Sequence, residues 1–241
     1  MKSIYRAAGR AIKDFDLIHE GDRIAVGVSG GKDSLVLLKA LAHFKRVAPI
    51  HFDLCAISVD LGFAGHDLSP LQAFCDELNI PFHIYKTDIG TIVFDIRKEK
   101  KPCALCSNLR RGALHTAAKE LGYSTIALGH HRDDAAETLL MSMLSEGRFR
   151  CFKPKSYLSR MDVTVIRPLV YVTEDSIREA VRTEELPVIP SGCPADGNTS
   201  RQEAKDLLKV MEQSFPKARH HLLLSLSNVD ENSIWHKVTK E

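Results

Sequence analysis

The stretch Arg23–Leu38, RIAVGVSGGKDSLVLL, constrains the fold of this chain more than any other. Its apolar run Ile24–Val28 has the length and composition of a short buried strand. Ser29-Gly30-Gly31-Lys32-Asp33-Ser34 interrupts that run, and helical apolar spacing resumes at Leu35. A strand, a Gly-Gly turn and a helix start together make an anion site. Glycines without Cβ let backbone N–H groups approach a phosphate, and the helix N-terminus adds partial positive charge. This is not the Walker phosphate loop, because the position five residues before Gly31, where that loop needs glycine, is Val26.

The remaining periodicities extend the same pattern. Ile4, Ala7, Ala8, Ala11, Ile12 and Phe15 give an amphipathic helix over 3–16, ahead of the first strand. After the loop helix (34–46) come a strand at Ile50–Val59, closed by Asp60-Leu61-Gly62, and a helix over 67–79. Pro81–Tyr85 is a third strand. A polar, basic loop leads to a helix over Ser107–Leu121 with Gly122 at its C′ position. Ser124–Leu128 is a fourth strand, Asp133–Leu144 a helix, 146–160 a basic loop and Val163–Ile166 a fifth strand. Helices over 173–184, 199–215 and 218–228 complete the reading as an α-helical C-terminal extension of one domain spanning 1–241. The fold class is therefore α/β: a five-stranded parallel sheet flanked by helices with right-handed crossovers. Ligands in such sheets sit beyond the carboxyl ends of the strands. Residues 29–34, Asp60 and Gly129–Asp134 all follow strands directly and are expected to meet in one crevice.

With a net charge of only +2, the chain as a whole neither demands nor excludes nucleic acid. Its basic residues bunch at 97–101, at Arg110-Arg111, at Arg148/Arg150/Lys153/Lys155 and at Lys217/Arg219. Each bunch alone reads as a solvated face; the first two flank a cysteine pair, and 97–101 and 146–155 are the candidate RNA contacts. No stretch has the length of a membrane span, and residues 1–20 have no compact apolar segment of a secretory signal, so the expectation is a cytoplasmic protein.

The six cysteines are not arranged as a disulfide framework. Cys55 and Cys75 sit among apolar residues and read as core; Cys151 has no assignment. Pro102-Cys103-Ala104-Leu105-Cys106 opens a helix, where the dipole favours thiolates and hence metal ligation. A structural zinc site normally needs four ligands. Here the only further candidate is Cys193, in the turn-rich IPSGCP segment. From the residues alone, three readings stand level: a cluster with three cysteine ligands and an open iron, an incomplete zinc site, or a redox pair. In Gly129-His130-His131-Arg132-Asp133-Asp134, the aspartates suit Mg²⁺ or helix capping.

Taken together, these motifs resemble the tRNA 2-thiocytidine synthetase (TtcA) family of PP-loop ATP pyrophosphatases. The resemblance runs through Glu20-Gly21-Asp22-Arg23, Ser29–Ser34 and Cys103-Ala104-Leu105-Cys106 with Leu109-Arg110-Arg111-Gly112. It continues through 129–134 with Glu137-Thr138, Val165-Ile166-Arg167-Pro168-Leu169, and Asn198 with Arg201 after Cys193. It implies ATP-dependent transfer of sulfur to a tRNA base, with ATP adenylating the base carbonyl oxygen. On that resemblance, Ser29, Gly30, Gly31, Lys32, Asp33 and Ser34 bind the ATP phosphates, while Asp60 and Gly129 lie beside the nucleotide. Cys103, Cys106 and Cys193 hold a [4Fe–4S] cluster. Asp33, Asp133 and Asp134 position Mg²⁺ or reacting groups, and Arg110 steadies phosphates or tRNA. The implied partners are tRNA, a sulfur donor (a cysteine desulfurase or inorganic sulfide) and a second copy in a homodimer. Two other readings are a PP-loop enzyme of the 2-thiouridine or lysidine type, or one acting on a small molecule, and a non-catalytic metal- or RNA-binding relative. Many family members carry a second Cys-x-x-Cys near the third ligand; this chain has only Cys193 there.

Overall fold

Strand β1 (Arg23–Gly27) has parallel neighbours on both sides, β2 (Asp53–Asp60) and β4 (Thr125–Ala127), because its residues Ile24, Ala25 and Val26 are wholly buried and suit a central position. Beyond β2 lies β3 (Phe82–Lys86), and beyond β4 lie β6 (Val163–Ile166) and β5 (Lys155–Leu158), giving the order β3-β2-β1-β4-β6-β5. The sheet thus has six strands where the periodicity gives five. The additional strand β5 falls inside the expected basic loop 146–160 and pairs antiparallel with β6 at the sheet edge. An edge strand needs no apolar run: Tyr157 is 63 % exposed, so Lys155 and Ser156 conceal the strand in the sequence without opposing it. The computed structural model describes residues 1–63, 67–98, 102–190, 192–193, 200–233 and 235.

The strand period of two divides the core between the sheet's faces. Ile24, Val26, Leu54 and Ala56 meet Leu35, Leu37, Leu38 and Leu41 of α2 (Lys32–Val47), joined by α1 (Lys2–Asp14), α3 (Ser69–Glu77) and α6 (Glu174–Thr183). Ala25, Cys55, Ile57 and Ile126 face Leu114, Ala117 and Ala118 of α4 (Pro102–Glu120). Burial pushes the Cys55 thiol up to about 11 against the opposing effects of Tyr123 and Arg23, and it also pushes Cys75 up to about 11. Both behave as small core residues.

Helix α4 begins at Pro102, as read from the segment Pro102–Cys106 and ahead of the periodic stretch from Ser107, so both cysteines of the pair lie in its first two turns. Its end is as read: Gly122 has φ +78°, and the N–H groups of Gly122 and Tyr123 close onto Lys119 and Ala118. Before α4, Thr91–Ile96 forms one π-helical turn where the sequence reads as loop.

The chain divides into two compact units, Met1–Arg132 with Lys153–Thr199, and Asp133–Phe152 with Ser200–Glu241. The first contains the sheet. The second is built from α5 (Arg132–Glu146), α7 (Ser200–Ser214) and α8 (Ala218–Ser225), around Ala136, Leu140 and Leu208. Among the described residues no helix is long and apolar enough to cross a membrane.

Candidate active site

The turn after β1 is held by its own side chains. Ser34 Oγ accepts from the Ser29 N–H at 3.2 Å and donates to the Gly31 carbonyl at 2.8 Å, and Gly31 N–H donates to Ser29 Oγ. Gly30 has φ +79°, a conformation that disfavours any side chain. Among the described residues, the N–H groups of Gly30, Lys32 and Asp33 form no hydrogen bond, as expected at an open helix N-terminus. The turn therefore offers donors and the positive end of α2, the arrangement an anion needs.

Lys32 and Asp33 supply the charge. Lys32 Nζ lies 3.0 Å from Asp33 Oδ2 and 3.3 Å from Oε1 of Glu174, a buried residue at the start of α6. Burial alone would pull the ammonium down, but Asp33 and then Glu174 outweigh it and hold Lys32 above its ordinary value. Asp33 Oδ1 is buried without a hydrogen-bond partner, and His131 Nε2 stands 3.6 Å away. Sequence reasoning does not single out either His131, which stands beside His130 in the 129–134 motif, or Glu174, which carries no motif. A charged residue opening the helix after Thr173 was the only signal for Glu174.

One further strand end reaches this turn, that of β4, while the contacts of Asp60 at the end of β2 are with its own neighbouring loops. A Cβ on Gly129 would lie 3.0 Å from the Asp33 carbonyl carbon and oxygen and 3.1 Å from the Ser34 nitrogen. Glycine is thus what allows the β4 end to lie against the start of α2. Asp60 ends β2; its carboxylate accepts from the Gly62 N–H at 3.0 Å and its carbonyl from Thr87.

The cysteine loop is tied to the same turn. Ile189 donates its N–H to the Gly30 carbonyl at 3.0 Å, and its Cβ stands 3.1 Å from where a Gly30 Cβ would be. Cys193 follows four residues later, so its Cα lies within about 14 Å of that of Ile189 even with the chain fully extended. Burial pushes the Cys106 thiol up; Arg110, one turn further along α4, opposes this, and Cys193 and Cys103 add to it. Among the described residues, however, no three His, Cys, Asp or Glu side chains are drawn together closely enough to hold a metal ion. None of the six cysteines forms a disulfide.

Asp133 and Asp134 open α5 and find their partners within the second unit. Asp133 Oδ1 accepts from Arg219 at 2.5 Å, and Asp134 Oδ1 from Arg201 at 3.0 Å. Arg219 also meets Glu212 at 3.1 Å, and despite the opposing effect of burial Asp133 holds the guanidinium above its ordinary value. The expected solvated face at Lys217/Arg219 is thus, at Arg219, a partly buried ion pair. Cys151 donates to the Ala135 carbonyl at 3.4 Å in this unit. Of the basic bunches, Arg148 and Arg150 are exposed, while Lys100 and Lys101, like Asn198, lie outside the described residues.

Residues 2–196 match the family model described as a PP-loop domain. A tRNA-cytidine(32) 2-sulfurtransferase from Syntrophotalea carbinolica is 41% identical over 95% of this chain and 89% of its own length. A protein of the same name from Pseudomonas syringae pv. tomato is 39% identical over 97% of this chain and 86% of its own. Among solved structures, the U34-tRNA thiolase NcsA from Methanococcus maripaludis with its [4Fe-4S] cluster superposes with a TM-score of 0.77 at 25% identity, covering 95% of this chain and 79% of its own.

Proposed function

The chain belongs to the PP-loop family, and from that premise we propose that it is an ATP-dependent tRNA sulfurtransferase that replaces the 2-carbonyl oxygen of a cytidine, at position 32 as in its named relatives, with sulfur. The observation that carries this reading is the docking of Ile189 on Gly30, which ties the Cys193 loop to the anion-binding turn.

The open N–H groups of Gly30, Lys32 and Asp33 and the Lys32 ammonium bind the ATP phosphates. The base carbonyl oxygen attacks the α-phosphorus, pyrophosphate leaves, and the former carbonyl oxygen now departs readily as part of AMP. Lys32, kept charged by its two carboxylates, stabilises the negative charge on the departing pyrophosphate. Mg²⁺ accompanying ATP fits Asp33 best, because its buried Oδ1 has no donor, whereas Asp133 and Asp134 already meet arginines. The latter two then order the start of α5, directly after His131.

Three thiolates have the donor chemistry for a [4Fe–4S] cluster with one iron left without a protein ligand. Cys103, Cys106 and Cys193 would hold it, and when bound it supplies the sulfur that replaces the adenylated oxygen. Arg110 offsets the negative charge gathered there. Sulfur would be replenished by a cysteine desulfurase or inorganic sulfide. Mass spectrometry of tRNA nucleosides from cells lacking the protein tests the reading: 2-thiocytidine should vanish, and its persistence at the normal level refutes the assignment.

A further inference from the structure

Phe63 packs against the cysteine loop without belonging to the protein's core. It lies three residues beyond Asp60 and is partly exposed. Neither Phe63 nor Phe94 is part of any of the three apolar clusters. Backbone fixes its position. A Cβ on Gly90 would come within 2.9 Å of the Phe63 ring, so only glycine leaves that space, and Gly90 N–H is anchored to the Leu61 carbonyl at 2.7 Å. On another side Gly192, the residue before Cys193, would bring a Cβ to 3.5 Å of Phe63 Cβ. Phe94, from the π-helical turn, sets its ring 5.8 Å from that of Phe63 at 58°. Three segments thus converge on one half-exposed ring: the end of β2, the π turn and the cysteine loop. A π turn costs hydrogen-bond geometry and is often found at functional sites.

A base inside a folded tRNA loop cannot be adenylated or thiolated until it is unstacked, and enzymes recover that cost by stacking the extruded base on an aromatic face. The ring would have to lie between the nucleotide and the thiols, because the carbon under attack must meet both. Phe63 lies three residues beyond Asp60 and against Gly192, the residue before Cys193. We infer that Phe63 is the platform on which the extruded pyrimidine stacks, with Phe94 and the two flanking glycines fixing its tilt. The inference rests on the tRNA-thiolation reading above.

The test compares Phe63→Leu, which keeps apolar bulk but no π face, with Phe63→Tyr, which keeps the ring. Loss of one base–aromatic stack lowers kcat/KM for tRNA by about tenfold or more in Phe63→Leu, while Phe63→Tyr recovers most of it. Iron content and melting temperature should match the parent in both. Independently of thiolation, a tRNA carrying pyrrolocytosine at position 32 should fluoresce less when bound to the parent protein or Phe63→Tyr than when bound to Phe63→Leu, where the extruded base has no ring to stack on. Equal kcat/KM and equal quenching in Phe63→Leu overturn the platform. So does an equal loss in both variants, which marks a packing role. If the parent protein thiolates no tRNA, the functional reading fails, and the quenching comparison still decides whether Phe63 stacks a base.

Discussion

Gly129→Ala is the sharpest perturbation of the anion-binding turn that leaves every charged group in place. The added methyl would stand 3.0 Å from two atoms of the Asp33 carbonyl and 3.1 Å from the Ser34 nitrogen. All three are backbone in the first turn of α2, so no flexible side chain can yield. Bringing them to an ordinary contact beyond 3.4 Å requires a shift of about 0.4 Å, and overpacking of this kind typically costs about 1–3 kcal/mol. For a chain of this size that lowers Tm by roughly 2–12 °C. The shift falls on the Asp33–Ser34 peptide and carries the adjoining Asp33 N–H with it, and misplacing a positioned group by a fraction of an ångström should lower kcat/KM for ATP by about tenfold. Pyrophosphate release in the presence of tRNA measures this. Gly112→Ala is the control: it lies within α4 with nothing within 4 Å of the new Cβ, so it should raise stability by up to about 1 kcal/mol and leave pyrophosphate release unaltered. If Gly129→Ala matches the parent in both Tm and ATP kinetics, the close approach of the β4 end to the loop is not what sets the site.

Other perturbations address the remaining parts. Replacing Glu174 by Gln removes the second carboxylate on Lys32 and should raise KM for ATP severalfold with little change in kcat, read from initial rates; an unchanged KM would show that Asp33 alone positions the ammonium. Arg219→Ala leaves the buried Asp133 without its closest cation and should destabilise the fold by about 3 kcal/mol or more, seen in urea unfolding, with Arg219→Lys in between. His115 is buried, and burial followed by the charge of Arg111 holds its imidazole below the ordinary value. The unfolded chain therefore takes up a proton first as pH falls below about 6.5, so stability should drop from there towards the folded value. His115→Gln should flatten the melting profile between pH 7 and pH 5, and an unaltered slope would contradict this account.

How far these features could be read from sequence depends on whether their cause is local. Strand β1, the Gly-Gly turn and α2 are local in origin: a buried apolar run, a left-handed glycine and a helical stripe lie within one short stretch. The Gly122 cap of α4 was legible for the same reason. Strand β5 was not, because a sheet-edge strand needs only one partner, β6, and its Lys155 and Tyr157 look like loop. Arg219 was misread because its partner Asp133 is 86 residues away, and a lone basic residue gives no sign of a distant carboxylate. Glu174 and His131 were missed likewise: each becomes significant only when folding brings it to Lys32 or Asp33. The cysteine set was recognised through family resemblance, since spacing alone left cluster, zinc and redox pair level. The link from Ile189 to Gly30 came only from the structure.

The central claim is that the phosphate-binding turn activates the base and the three cysteines deliver the sulfur, as separable halves of one site. Cys193→Ser tests it most directly, assayed with ATP and tRNA for pyrophosphate release and for 2-thiocytidine by nucleoside mass spectrometry. The account predicts that tRNA-dependent pyrophosphate release persists while 2-thiocytidine is not formed. Formation of 2-thiocytidine at the parent rate would contradict it.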